Sequence, residues 1–288
     1  MISIFTPAYN RAHLLPRLYK SLKKQQVQNF EWIIVDDGST DNTREIVRSF
    51  MAENKISIWY HQKINEGKHL AINKGVELAK GDLFFIVDSD DYLTEDATLK
   101  ITEYYETVKN KNDFAGISFR RGINTSQYIG TQKFFEPIEA NCLDFRFRYY
   151  IKGDMAEVYK TSVMREFPFP RIEGEKFCTE GLAWNRMALK YKLLWISEII
   201  YIGEYLEDGL SYQSFQARRK SPKYATLYYS ELTTMSVSYF QKLRAAINYW
   251  RFARFLNISF ADKWKKVSPV LSIMAIPMSW LFLIKDKL

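Results

Sequence analysis

Apolar runs and helical stripes alternate over roughly the first hundred residues. Ile2 to Thr6, Trp32 to Val35, Ile56 to Tyr60 and Leu83 to Val87 are short, largely aliphatic or aromatic runs that predict strands. Between them the apolar spacing is helical. Arg11 to Gln25 carries Leu14, Leu15, Leu18 and Leu22 on one side, Thr43 to Glu53 follows Asp41 or Asn42 as a cap, and Leu70 to Ala79 is closed by Lys80-Gly81. Continuous apolar strands separated by helices predict βαβ units around a buried, mostly parallel sheet, hence an α/β, Rossmann-like fold. Glu95 to Lys109 predicts a further helix. Beyond Lys111 the pattern weakens. Phe114 to Phe119, Met155 to Tyr159 and Ile199 to Gly203 predict strands, Gly181 to Tyr191 predicts a helix, and the chain from Ser221 onward predicts helices alone.

Three of the predicted strands end in polar or acidic stretches: TPAYNR, DDGSTDNT and DSDD. In a parallel sheet these tails share the carboxyl edge, where ligands bind. The first turn has no glycine, which excludes a dinucleotide fingerprint and a P-loop, so backbone amides are poorly placed to cradle a diphosphate. Gly67 and Lys68 add one basic contact. Leu83 to Val87 leads straight into Asp88, Ser89, Asp90 and Asp91, and carboxylates beside an apolar strand need a cation. A divalent metal held by Asp88 and Asp90 would supply it. Hard oxygen ligands suit Mg²⁺ or Mn²⁺, with phosphate and water completing the shell.

Composition adds bounds. The 288 residues are 47% hydrophobic and 26% charged, enough for a sizeable core. Cys142 and Cys178 form neither a disulfide framework nor a metal-ligand spacing, which predicts a reducing compartment. The N-terminal stretch has no charged segment followed by a long apolar run, so no secretory signal is expected. The net charge of +8 is unevenly placed: 13 Lys+Arg and 3 Asp+Glu lie from Arg218 to Leu288, leaving 28 against 30 elsewhere. A near-neutral body with a basic tail points to an attachment surface rather than to nucleic acid.

Within the tail, Tyr239 to Leu256 places Tyr239, Leu243, Ala246, Ile247, Trp250 and Ala253 on one face, with Lys242, Arg244, Arg251 and Arg254 around the rest. This predicts a basic amphipathic helix on an anionic membrane surface. Lys263, Lys265 and Lys266 then precede an apolar run, residues 268–284, that is short for spanning and carries Pro269 and Pro277. It predicts an in-plane or shallowly inserted segment. The alternative is packing on protein or a homo-oligomer contact.

The stretches TPAYNR, FEWIIVDDGSTDNT, NEGKHLAINKGVELAKGD and FFIVDSDDYL, in this order over roughly residues 1 to 110, resemble the family 2 glycosyltransferases of GT-A fold, of the bacterial cell-surface polysaccharide type. The resemblance implies an inverting, nucleotide-sugar-dependent transferase. It implies that residues 1–110 form the nucleotide-sugar half and 111–217 the acceptor half, while the basic amphipathic pattern makes 218–288 a membrane-associating helical extension. Pro7, Ala8 and Tyr9 would line the nucleoside pocket. Asp36 or Asp37 would bind the base, typically uracil, and the same two residues also read as a turn. Lys68, Asn73, Asp88 and Ser89 would serve the nucleotide, and Asp88 and Asp90 the metal. His61 and His69 read as pocket-edge or surface residues and His13 as solvent-facing.

Inverting transfer is a single displacement that needs a carboxylate base distinct from the metal ligands. Family members often carry Glu-Asp before a helix in the second half. Here FCTEGLAWNRMALKY has glycine at the second place, which leaves Glu180 as the first candidate, with Glu207, Asp208 and Asp154 behind it. Trp184 and Arg186 read either as sugar and phosphate contacts or as core and surface residues. The implied setting is peripheral, at the cytoplasmic face of the inner or plasma membrane, with a lipid-linked glycan as acceptor. Two other readings stay open: a sugar-phosphate nucleotidylyltransferase, which would need a glycine-rich basic first loop, and a non-catalytic nucleotide- or membrane-binding module.

Overall fold

The computed structural model describes residues 1–203 and 214–285, with side chains as far as 282. It divides into two compact units, Met1–Phe169 with Arg186–Tyr205, and Pro170–Asn185 with Leu206–Leu288.

The first unit begins as the apolar pattern predicts: β1 (Ile2–Ala8), α1 (Leu15–Lys23), β2 (Phe30–Asp36), α2 (Thr43–Glu53), β3 (Ser57–Gln62), α3 (Lys68–Leu78) and β4 (Leu83–Ile86). Next come β5 (Tyr92–Leu93), α4 (Ala97–Glu106), β6 (Phe114–Gly122), β7 (Ile138–Ala140), α5 (Cys142–Phe147), β8 (Met155–Lys160) and α6 (Thr161–Glu166). After passing through the second unit the chain returns along α7 (Gly181–Met187) to β9 (Lys192–Ile202).

The nine strands of the described residues join one sheet in the order β3-β2-β1-β4-β8-β6-β9-β5, with β7 also on β9. Strands β3, β2, β1 and β4 are parallel, and the register sets Ala8 beside Asp36 and Asp36 beside Gln62. The polar tails of β1, β2 and β4 therefore do share one edge. Strand β8 is antiparallel to both β4 and β6, so β6 again points its carboxyl end at that edge.

The core is the sheet's apolar side chains, including fully buried Trp32, Phe85 and Phe119. Tyr19 of α1 stacks on Phe50 of α2 at 4.1 Å between ring centroids, and both lie within about 6 Å of the Trp32 ring. Helix α1 starts later than its leucine pattern suggests. The backbone N–H groups of Asn10, Arg11 and Ala12 bond side chains of the second loop instead of starting a helical turn, and Pro16 sits in the first turn. Strand β9 runs eleven residues, where the sequence pattern marks only its end.

The second unit contains α8 (Ser214–Lys220), α9 (Pro222–Thr234), α10 (Tyr239–Ala253), α11 (Phe260–Trp264) and α12 (Pro269–Lys285). Glu175 receives the backbone N–H groups of Lys223 and Tyr224 and so closes the open end of α9. One expectation is overturned. The predicted lipid-facing stripe of α10 is core: Ala246, Ile247, Trp250 and Ala253 are buried, packed with Val267, Leu271 and Ala275. Amphipathicity alone does not say whether a helix faces protein or lipid. Among the described residues no helix is long and apolar enough to cross a membrane.

Candidate active site

The first two loops of the carboxyl edge are laced together. Asn10, in the left-handed region at φ +55°, donates its N–H to Ser39 Oγ at 2.8 Å and accepts Thr40 N–H at 2.8 Å. Ala12 N–H donates to Asp41 Oδ2 at 3.0 Å, and Asp37 N–H to Ala8 O at 2.8 Å. Asp41 also accepts the N–H and hydroxyl of Thr43 at the start of α2. These short polar side chains replace backbone pairing beyond the strand ends.

Asp36 and Asp37 are both buried, with different duties. Asp36 closes the turn, accepting Ser39 N–H at 2.7 Å, and accepts the Tyr60 hydroxyl at 2.5 Å. Asp37 accepts Lys63 Nζ at 2.7 Å, Glu66 N–H at 3.0 Å and Gly67 N–H at 2.7 Å, which fixes the loop into α3. Gly67 sits at φ +99°, where a side chain would be strained, and the next residue is Lys68.

Lys68 Nζ stands 2.6 Å from Asp88 Oδ1. On the other side Arg121, from the end of β6, lies 3.7 Å from Asp88 and 3.7 Å from Asp91. Its Nε donates to Met155 O at 2.9 Å and its guanidinium covers the Tyr201 ring at 4.0 Å. The Tyr201 hydroxyl accepts Asp88 N–H at 3.0 Å and donates to Asp91 Oδ2 at 2.6 Å. Gly203 leaves room for that carboxylate, since a Cβ there would stand 3.0 Å from Asp91 Oδ1. From α1, Arg17 donates to the backbone carbonyl of Asp90 and lies over the Tyr92 ring.

The three carboxylates thus sit beside Lys68 and Arg121, with Arg11 adding positive charge toward Asp88 and Asp90. Burial works against the charge of Asp88, but Lys68 and Arg121 hold its carboxyl below the ordinary range. Burial and then the charge of Asp88 raise Asp90 and push Asp91 up to about 7. Asp91 spends its oxygens on Tyr201 and Arg121, which leaves Asp90 as the half-buried carboxylate carrying the excess negative charge. Among the described residues no group of three or more His, Cys, Asp and Glu could enclose a metal. The donor set fits Mg²⁺ or Mn²⁺ held through one or two carboxylates, with ligand oxygens and water completing the shell, and it does not fit a closed protein cage.

A family model for glycosyl transferase family 2 matches residues 3–168. The chain belongs to this family. It is 39% identical over 112 residues to the glycosyltransferase GlyG of Streptococcus pneumoniae, covering 39% of this chain and 36% of that protein. It is 40% identical over 97 residues to the chondroitin synthase of Pasteurella multocida, covering 34% of this chain and 10% of the synthase. The matched segments therefore span well under half the length of these relatives. The structure of S. aureus TarS 1–349 in complex with UDP-GlcNAc aligns with TM-score 0.66 at 20% identity, over 95% of this chain and 83% of that one. The mannosyltransferase PcManGT from Pyrobaculum calidifontis, in complex with GDP-Man and Mn²⁺, aligns with TM-score 0.58 at 15% identity, over 98% and 80%. At these identities the likeness shows the fold, the α/β GT-A architecture expected from sequence.

The other family positions fall as follows. Pro7 is half-buried, Ala8 buried and Tyr9 exposed at the end of β1, while Ser89 is buried between the aspartates. Asn73 spends both ends of its amide on the backbone of Phe169, at 2.8 and 2.9 Å, so its visible work is to hold that segment. His13 is exposed, as expected. His69 is not at a surface or pocket edge: it is fully buried, edge-on to Phe169. Glu180 is half-buried in the second unit, its carbonyl accepting the N–H groups of Ala183 and Trp184 in α7. Asp154 is exposed, and Glu207 and Asp208 lie outside the described residues.

Sequence reading missed Arg121, Tyr201, Arg17 and Lys63. Arg121 carried a faint signal, the second of two arginines that follow the apolar run Phe114 to Phe119. The roles of the others depend on pairings between residues 26 to 113 positions apart.

Proposed function

We propose that this chain is an inverting glycosyltransferase of the hexosyltransferase type. It moves a sugar from a nucleotide-sugar, a UDP-sugar, to a hydroxyl of a glycan acceptor, lipid-linked, in surface polysaccharide synthesis. The observation that carries the reading is the excess of carboxylates at Asp88, Asp90 and Asp91 on the sheet edge where three loops converge. The shared fold of S. aureus TarS, whose structure contains UDP-GlcNAc, supports the UDP choice. A fold neighbour containing Mn²⁺ supports the metal.

On this reading residues 1–110 bind the donor, 111–217 the acceptor, and 218–288 attach the enzyme peripherally to the cytoplasmic face of the membrane. Pro7, Ala8 and Tyr9 line the nucleoside, Asp36 or Asp37 meets the base, and Lys68, Asn73, Asp88 and Ser89 serve the nucleotide, Asn73 through the backbone it holds. Asp88 and Asp90 hold Mn²⁺ or Mg²⁺, which when bound neutralises charge on the departing diphosphate. Lys68 contributes a second positive charge beside that oxygen cluster. Glu180 takes the acceptor hydroxyl proton while the bond from the anomeric carbon to the diphosphate breaks and the bond to the acceptor oxygen forms.

The test is release of free nucleotide from UDP-, GDP- and dTDP-sugars with and without Mn²⁺, on the wild-type chain and on Asp90→Ala. Metal-dependent release from one UDP-sugar, lost in the variant, is the expected result. Absence of both release and metal-dependent nucleotide binding would sink the reading. Glu180→Gln should keep nucleotide binding and lose transfer; full transfer in that variant would move the base elsewhere.

A further inference from the structure

Helix α12 presents two opposite faces. Leu271, Ser272, Ala275 and Ser279 are buried, with Leu271 and Ala275 in one cluster with α10. The other side is apolar and open: Val270 and Ile273 are each 64% exposed, Leu281 71%, with Met274 and Met278 also exposed and Pro277 on the same stripe. The spacing i, i+3, i+4, i+7, i+8, i+11 makes this a single stripe. Trp280 flanks it at 66% exposed. Tyr239, whose hydroxyl donates to Met274 Sδ at 3.2 Å, and the exposed Phe240 extend it sideways.

We propose that this outward stripe of α12 is a lipid-contacting surface lying in the plane of an anionic bilayer. Two observations choose the occupant. Lys265 and Lys266 are exposed immediately before the helix, at its positive end, in a segment with 13 basic and 3 acidic residues. A second copy would set like charge against like charge, whereas anionic headgroups neutralise it. The orientation follows from geometry. The described part of the helix, Pro269–Lys285, is about 25 Å long at ~1.5 Å per residue, short of the ~30 Å hydrocarbon core, and one side is already occupied by protein. It therefore floats with one face down, at a depth where Trp280 meets the headgroup level. The inference deepens the membrane attachment proposed above and is independent of the transfer chemistry.

The test is co-sedimentation of the full chain with phosphatidylcholine vesicles, with and without phosphatidylglycerol. The wild-type chain should bind the anionic vesicles and bind the neutral ones much less. Ile273→Glu/Leu281→Glu should weaken binding to anionic vesicles roughly tenfold or more. Lys265→Glu/Lys266→Glu should weaken it by a similar factor, and only where phosphatidylglycerol is present. Thermal melting followed by circular dichroism should be unchanged in both, because all four side chains are exposed. Binding of the face variant equal to wild type would overturn the proposal, as would no binding by the wild type. A dimer in sedimentation velocity that the face variant splits, with no vesicle binding, would assign the stripe to a second copy. Sugar-nucleotide hydrolysis in vesicle-free solution should not change in either variant. Loss of hydrolysis in the wild type itself would count against the transferase reading alone.

Discussion

Tyr201 and Asp91 are 110 residues apart in sequence, yet the phenol donates to the buried carboxylate at 2.6 Å and accepts the Asp88 backbone N–H at 3.0 Å. One hydroxyl thus fixes both ends of the acidic turn. Tyr201→Phe keeps the ring under Arg121 and removes only this bridge. It should lower stability by about 1–2 kcal/mol, because a buried carboxylate loses a donor. It should also weaken metal-dependent nucleotide binding, measured by titrating Mn²⁺ against bound nucleotide. Loss of stability with unchanged metal dependence would leave Tyr201 a purely structural role.

Asp91 should make the metal-free chain more stable in mild acid than in mild base. Its folded carboxyl is raised to about 7 by burial and by Asp88, against an ordinary value of 3.8. The native state therefore binds the proton more tightly than the unfolded state does. The contribution is complete below the ordinary value and is lost as pH rises through about 7. Melting curves in chelator across that window should show the slope, and Asp91→Asn should flatten it. An unchanged slope in the variant would refute the assignment.

Asp37 holds three donors from the loop into α3. Asp37→Ala leaves Lys63 with Glu66 and the Ile64 carbonyl and leaves two backbone N–H groups without their acceptor. The expected cost is about 2–4 kcal/mol, read by denaturant unfolding, with Lys68 losing its approach to Asp88. Asp36→Ala frees fewer donors, so the ratio of the two losses checks the division of duties.

Trp250→Ala tests the burial of the α10 stripe. With the ring packed against Tyr249, Phe260 and Trp264, truncation should cost about 3 kcal/mol in the second unit. A loss below about 0.5 kcal/mol, the size of an ordinary surface substitution, would return the stripe to solvent or lipid.

The parallel half of the sheet was legible because its strands are largely apolar runs set off by helices or turns. Thr43 to Glu53 even matched its helix at both ends. The two-residue β5 and three-residue β7 were not legible, since strands so short exist only by pairing with β9. Asp88 and Asp90 announced themselves by sequence alone. Arg121 and Tyr201 did not, because an arginine or tyrosine near a strand end has many fates and only the β6–β9 pairing selects this one. The tail shows the opposite failure. The amphipathic stripe of α10 was real, but sequence periodicity does not name its partner.

The pairing of Arg120 with Met155 brings the end of β6 beside the start of β8. Residues 123 to 154 therefore form one excursion between neighbouring strands, which returns to the sheet at β7, paired with β9. Lengthening or replacing such an excursion adds little closure entropy and leaves the donor strands in register. Natural variation can rewrite the loops on either side of β7 while strands β1 to β4 keep their pairing. A graft between family members would be cut at those two positions.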